Sequence, residues 1–254
     1  MLPASAVLLR LLRNDLRLIA RDPLLVMLSC LVLVLGAVCR FVLPVLDASL
    51  AENGIMPSGT TPLRFSDTYP LWVAFIGLWQ AALMPGTIFA FLLLDEKEDR
   101  TLAAMRVTPV PLRSYLGYRA LLPAVLGFVF ALVLVPAIGH APIAPGRLVV
   151  LAACACVTAP LTTLLIARFA HDKVQGFALT KFGGVAGLII LFGWFVPEPW
   201  QWGLCAFPPF AVAKSFWLAV ADTPFWWVPA VLGALAQLLA IGALLRRFAA
   251  RPPQ

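Results

Sequence analysis

The chain has 254 residues, of which 62% are apolar and only 12% are charged, and its mean hydropathy is +0.94. A water-soluble domain carries about 25% charged residues, so this composition excludes an ordinary soluble enzyme and a disordered chain. It also excludes a nucleic-acid-binding protein, despite a net charge of +7 and a pI near 9.6. The sequence instead predicts an all-α polytopic membrane protein that forms a single domain over residues 1–254.

A basic amphipathic helix is predicted over residues 5–22, ahead of the first apolar segment. Cations including Arg17 and Arg21 recur at helical spacing on one side, and aliphatic residues occupy the other. Such a helix lies in the membrane interface, with its cations toward lipid headgroups or a cytosolic partner. Pro23 disfavours helical geometry at the preceding Asp22, which predicts a corner between this helix and the first span.

Six apolar segments are long enough to cross a bilayer at about 20 residues per span. They cover about 24–46, 69–94, 114–138, 147–169, 174–196 and 224–245. With the amino terminus in the cytosol, fourteen Lys and Arg residues fall on inner segments and three on outer segments, while Arg40 and Lys181 fall within spans. This positive-inside bias predicts a multi-pass protein of the bacterial cytoplasmic membrane with both termini in the cytosol.

The second inner segment, residues 95–113, carries the one run of consecutive charges in the sequence, DEKEDR from Asp95 to Arg100. Good helix formers follow this run, and the Thr108-Pro109 turn ends them. A short charged helix joined to two spans could convert a push from a cytosolic partner into movement of the spans. The alternative is a solvated inner loop anchored to anionic headgroups.

Residues 197–222 are rich in aromatic side chains and contain the Pro208-Pro209 pair, but they are too short and too interrupted to cross a membrane. An apolar stretch broken by two prolines is typical of a re-entrant pair of half-helices that protein shields from lipid. An amphipathic loop on the outer surface is the alternative. The five cysteines show no metal-binding spacing, and we interpret them as apolar filler.

The sequence contains no G-x-x-x-x-G-K-[ST] motif, so the chain cannot bind ATP through a P-loop of its own. No predicted span has an Asp or Glu near its middle, which weakens a proton-driven mechanism. If the chain moves a solute uphill, the energy must therefore come from another polypeptide.

Three motifs, in the expected order, resemble those of ABC-2 type transporter permeases. LLDEKEDRTLAAMRVTPVPLRSYLGYR, which ends at Arg119, is similar to the inner-loop signature of that superfamily, although Arg100 stands where the family often has Gly. LLRNDLRLIARDPL, which ends at Leu24, resembles its amphipathic connecting helix, and PWQWGLCAFPPFAVAKSF (199–216) resembles its re-entrant segment. The short chain and the R-D-P-L-L string are most similar to small drug-export permeases of the fluoroquinolone-exporter type.

The resemblance implies a half-transporter that pairs with a second permease, identical or homologous, and with two copies of a cytosolic ATP-binding cassette subunit. The permease would bind no cofactor itself, with ATP and Mg held by the partner ATPase, and would move a drug-like or lipid-like cargo outward. The resemblance also implies docking of the inner loop and the N-terminal helix on that ATPase. The coupling residues are then Glu96, Glu98, Arg100, Thr101, Leu102, Arg17 and Arg21.

Arg40 and Lys181 are the charges predicted to lie in apolar surroundings, where burial at the bilayer centre costs about 2.5–3.5 kcal/mol. One hypothesis places both along the permease pathway, facing an anionic group on the cargo. The alternative is snorkelling, because each lies toward one end of its span. For the whole chain, a non-transporting membrane scaffold and, third, a secondary transporter remain as alternatives to an exporter subunit.

Overall fold

The computed structural model describes residues 17–53, 64–98 and 112–250 of the chain. The α-helices of these residues are α1 (Pro23–Glu52), α2 (Tyr69–Val73), α3 (Ala81–Glu98), α4 (Leu112–Ile138), α5 (Pro145–Ala155), α6 (Thr158–Phe169), α7 (Lys173–Gly193), α8 (Gln201–Leu204), α9 (Pro208–Val220) and α10 (Val228–Ala250). No strand occurs in the described part of the chain.

Six of the helical stretches are long and apolar enough to cross a membrane. These spans are Pro23–Leu50, Phe65–Glu98, Gly117–Ile138, Pro145–Phe169, Lys173–Gly193 and Val228–Arg246. The prediction of an all-α polytopic membrane protein with six spans is therefore confirmed. Most of the predicted interfacial helix lies outside the described residues, but residues 17–21 are helical and the helix is interrupted at Asp22, before Pro23.

The second span forms the centre of the bundle. In its most apolar window 94% of the residues are buried, against 22% in the fifth span and 28% in both the first and the sixth. A helix that is apolar on all sides is buried in this way, and α3 is buried continuously from Ala81 to Leu94. The other spans surround it and expose one apolar face each, as helices in contact with lipid or with another protein do.

The second and fourth spans approach each other closely. A Cβ atom on Gly86 would lie 2.5 Å from the carbonyl oxygen of Ala159, so only glycine fits there. The hydroxyl of Thr163 donates to the Gly86 carbonyl oxygen at 2.8 Å across the same contact. Small residues and Ser/Thr hydroxyls are the usual means by which spans pack closely. The helical geometry of the second span is irregular at Ala74–Gln80, which is π-helical. The α-helix that follows continues through Pro85 without a break.

The segment before the last span folds into two short helices, α8 and α9. Pro209, at the start of α9, lies beside Ala155 and Thr158, near the middle of the fourth span. The other end of α9 lies at the first turn of that span, where Nη1 of Arg147 donates to the carbonyl oxygen of Ala219 at 2.8 Å. The chain thus enters the bundle, turns at the prolines and leaves at the end where it entered, as predicted for a re-entrant pair.

Candidate functional site

The charges at one end of the bundle form a connected group, which we call the inner-end cluster. Its members are Asp22, Asp95, Glu96, Glu98, Arg119 and Lys173. They come from the starts of the first and fifth spans, the end of the second span and the first turns of the third. The cluster therefore connects four spans at the end of the bundle that carries the acidic run.

Asp22 begins the first span and also pairs with the fifth. Its Oδ1 accepts hydrogen bonds from the backbone N–H groups of Leu24 and Leu25 at 2.9 and 3.4 Å, which is the geometry of a helix N-cap. Pro23 occupies the first helical position, where a missing N–H has no cost. The Asp22-Pro23 corner predicted from the sequence is thus the start of the first span. The hydrogen bond from Lys173 lowers the pKa of the Asp22 carboxyl.

Lys173 connects three spans through one ammonium group. Its Nζ lies 2.9 Å from Oδ2 of Asp22 and 2.8 Å from Oδ1 of Asp95. Its own backbone N–H donates to Oε1 of Glu98 at 3.1 Å. Two carboxylates and a backbone contact around one lysine fix the relative positions of the first, second and fifth spans at this end.

Glu96 pairs with Arg119, and the pair is largely buried. The Arg119 side chain is 4% exposed and that of Glu96 is 19% exposed. The count of inner and outer cations treated Arg119 as an inner cation, although it falls within the predicted span 114–138. The structure places it inside α4, facing the second span. Removing one partner from a buried ion pair strongly destabilises the fold, because the remaining buried charge loses the compensation of the other.

The predicted coupling residues are distributed unevenly with respect to the inner-end cluster. Glu96 and Glu98 belong to it, and Glu98 is exposed at the surface. Arg17 and Arg21 are exposed on the helical turn before Asp22. Arg100, Thr101 and Leu102 lie outside the described residues. Sequence reasoning missed Asp22, Asp95, Arg119 and Lys173 as members, although the R-D-P string and the position of Lys173 at a helix start were visible signals.

Arg40 closes the far end of the third span. Its Nη1 donates to the carbonyl oxygens of Ala137 and Ile138 at 2.8 and 3.3 Å, which are among the last carbonyls of α4 and have no partner within the helix. The next residue, Gly139, has φ of +75°, a conformation that favours glycine. Arg40 therefore has a structural role in helix termination, which favours neither hypothesis drawn from the sequence.

Lys181 is exposed on the surface of the fifth span, where its Nζ lies 5.1 Å from the centroid of the Phe177 ring.

Two glycines that follow Lys181 on the fifth span differ in what surrounds them. A Cβ on Gly187 would lie 2.4 Å from Nε1 of Trp79, whereas a Cβ on Gly184 would meet nothing within 4 Å. Gly187 is thus used for packing against the second span.

A buried cation lies in the re-entrant segment, and the sequence analysis did not single it out. Lys214 in α9 is 5% exposed and forms an ion pair with Glu198. Its Nζ also donates to Oε1 of Gln201 at 2.5 Å and lies 5.6 Å from the centroid of the Trp202 ring. Lys214 lies thirteen positions from Gln201 and sixteen from Glu198. These residues are not neighbours on one helix, and the turn at the prolines is what brings them together.

Comparison with known proteins assigns the chain to a family. The family model for the Rv2686c-like fluoroquinolones export permease proteins matches residues 15–245. Two curated proteins of Mycobacterium tuberculosis, from strains CDC 1551 / Oshkosh and ATCC 25618 / H37Rv, are named fluoroquinolones export permease proteins MT2760 and Rv2686c. Each is 34% identical over 244 residues, which cover 94% of this chain and 92% of the relative. No solved structure matches the chain. The chain belongs to the Rv2686c-like family of fluoroquinolones export permeases.

Proposed function

We propose that this chain is the transmembrane subunit of an ATP-driven ABC exporter and moves amphipathic drugs of the fluoroquinolone class outward. A separate cytosolic ATPase supplies the energy, in two copies, and a second permease, identical or homologous, completes the pathway. Family membership supports the export role, and the name of the relatives supports the cargo class. ATP and Mg are bound by the ATPase and not by this chain.

The observation that carries the proposal is the inner-end cluster. A cytosolic partner can move spans only if its contact surface is rigidly joined to them. Lys173 joins Asp22 and Asp95 at 2.9 and 2.8 Å, and Glu96 pairs with the buried Arg119. A force applied beside these residues is therefore transmitted to the first, second, third and fifth spans together.

The docking surface is formed by the exposed charges beside the cluster. Glu98, Arg17 and Arg21 are exposed at this end, and Arg100, Thr101 and Leu102 follow Glu98 closely in the sequence. The excess of Lys and Arg on the segments at this end supports a cytosolic location for it, in a protein of the bacterial cytoplasmic membrane. Glu96, which is 19% exposed and paired with Arg119, acts as a positioning residue rather than as a direct contact.

The first test is purification of the tagged chain from its host in a mild detergent, with ATP hydrolysis measured in the eluate. An ATPase is expected to co-purify, and Glu98→Lys or Arg21→Glu to reduce its recovery by about tenfold. Glu52→Lys is the matched control, because Glu52 is also exposed but lies at the opposite end of the bundle. Equal recovery with all three variants would contradict docking at this surface.

The second test measures export itself. Cells that express the chain should accumulate less ciprofloxacin than cells without it, and this difference should vanish when ATP is depleted. The purified chain alone in liposomes should not move ciprofloxacin against a gradient. Uphill transport by the chain alone, without a nucleotide-hydrolysing partner, would overturn the proposal, as would ciprofloxacin accumulation that does not depend on the chain.

A further inference from the structure

Lys214 is a cation that the protein holds in a fixed position. An ammonium group has three donors. In the structure one is directed at Glu198 and one at Gln201, and the ring face of Trp202 lies nearby. Gln201 is itself held, because its Nε2 donates to the carbonyl oxygen of Trp194 at 3.2 Å. A lysine positioned in this way needs no reorganisation to receive an anion.

The anion that now pairs with Lys214 is less firmly held than the lysine. Glu198 is 56% exposed, while the Lys214 side chain is 6% exposed. An exposed carboxylate returns to water at little cost, since an ion pair of this kind contributes little when one partner stays solvated. A second carboxylate from solution can therefore take the place of Glu198 while the lysine stays where it is.

An apolar cavity is lined in part by the same tryptophan. Its volume is about 230 Å³, and Trp202, Pro208, Pro229, Leu232 and Gly233 contribute to its walls. Sites for whole drugs begin at roughly 300 Å³, so this cavity suits an aromatic ring system and not a complete drug molecule. Trp202 joins the two features, because it is one of the residues that line the cavity and its ring faces the Lys214 ammonium group.

We infer that Lys214 and the cavity beside Trp202 form a binding site for an aromatic carboxylate. The carboxylate displaces Glu198 from Lys214, and the ring system occupies the apolar cavity against Trp202. This inference deepens the proposed function and rests on it, because a fluoroquinolone carries a carboxylate on a fused aromatic ring system. In this inference the residue that recognises anionic cargo is Lys214, in the re-entrant segment, rather than Arg40 or Lys181.

The test is equilibrium binding of ciprofloxacin to the purified full-length chain in an uncharged detergent without ATP, followed by the fluorescence anisotropy of the drug. The matched probe is ciprofloxacin methyl ester, which keeps the ring system and removes the negative charge. The wild-type chain should bind the acid at least about tenfold more tightly than the ester, since a charge-assisted hydrogen bond is lost. Equal binding of acid and ester, or binding of neither, would overturn the inference without the need for any variant.

Two variants identify the residue responsible. Lys214→Met should abolish the preference for the acid over the ester, and it should fold, because the remaining Glu198 is exposed and stays hydrated. Glu198→Gln should increase the affinity for the acid several-fold, because it removes the competing carboxylate. A preference that survives Lys214→Met, or one that is lost with Lys181→Met instead, would contradict the site.

These outcomes are separate from those that test the proposed function. Binding is measured without nucleotide, so failure to select the acid leaves ATP-dependent export untouched. If the proposed function fails instead, ATP depletion does not change how much ciprofloxacin accumulates in cells that express the chain. That result does not depend on the outcome of the binding assay.

Discussion

The imidazole of His140 donates from Nε2 to the main-chain carbonyl oxygen of Arg40 at 2.9 Å. This carbonyl needs a donor from outside its own helix, because the residue four positions later is Pro44, which has no N–H. Arg40 in turn donates from Nη1 to the Ala137 carbonyl oxygen at 2.8 Å. The first span and the end of the third thus satisfy each other's unpaired backbone groups, as a membrane requires.

Replacing Arg40 by Met should therefore lower stability. The carbonyl oxygens of Ala137 and Ile138 would lose their donor at a helix end, at a cost of about 1–3 kcal/mol. Arg40→Lys retains one cationic donor and should retain part of the stability. The measurement is thermal unfolding in detergent, with ciprofloxacin export as a second readout. A variant with wild-type stability and altered export of anionic drugs would instead support the pathway hypothesis for Arg40.

The Glu96–Arg119 pair should show strong coupling in a double-mutant cycle. Glu96→Ala removes the paired carboxylate from the buried Arg119 and should cost about 3–5 kcal/mol. Arg119→Met combined with Glu96→Ala should be more stable than Glu96→Ala alone, since no buried charge remains. Thermal unfolding of the two single variants and the double variant gives the coupling. Additive effects of the two substitutions would show that the pair contributes nothing specific.

The spans could be predicted from the sequence because their signal is local. Twenty apolar residues in a row identify a helix in a membrane whatever surrounds it, and the Asp22-Pro23 corner follows from backbone sterics. The Pro208-Pro209 pair likewise indicated a turn inside an apolar segment. Each of these predictions depends on neighbours along the chain and needs no knowledge of the packing.

The pairing of charges could not be predicted, because it depends on which helix faces which. Arg119 lies 23 positions from Glu96, and Lys173 lies 151 positions from Asp22. In the count of Lys and Arg used for orientation, Arg119 and Lys173 were only inner cations, and Lys214 was only an outer one. Burial of a cation is costly without a partner, and the partners become visible only when the spans are assembled.

The Asp22–Lys173 contact should make the stability of the inner end sensitive to acid. The hydrogen bond from Lys173 lowers the pKa of Asp22 below its ordinary value of 3.8. A carboxyl whose pKa is lower in the folded state stabilises the fold above its unfolded pKa, and this contribution is lost as the pH falls through the lowered value. The Asp22–Lys173 contact should therefore weaken only below about pH 4.

Asp22→Asn separates the ion pair from the helix cap, because Asn is as good an N-cap residue as Asp. At pH 7 Asp22→Asn should cost about 0.5–1 kcal/mol from the lost pair, and Asp22→Ala about 1 kcal/mol more from the lost cap. Below pH 4 the difference between the wild type and Asp22→Asn should shrink. Thermal unfolding between pH 3 and 7 measures both effects, and a difference that is constant with pH would argue that the carboxylate charge is irrelevant.

Gly187 and Gly184 on the fifth span offer a matched pair of substitutions. A Cβ at Gly187 would lie 2.4 Å from Nε1 of Trp79 and 3.2 Å from the Phe75 ring, whereas one at Gly184 would meet nothing within 4 Å. Gly187→Ala should therefore force the second and fifth spans apart and cost about 1–3 kcal/mol. Gly184→Ala should be neutral or slightly stabilising, because alanine is the better helix former. Thermal unfolding in detergent compares the two, and equal effects would mean that the fifth span does not pack on Trp79 through Gly187. A loss of export without a loss of stability in Gly184→Ala would support a contact between the surface around Gly184 and the proposed second permease.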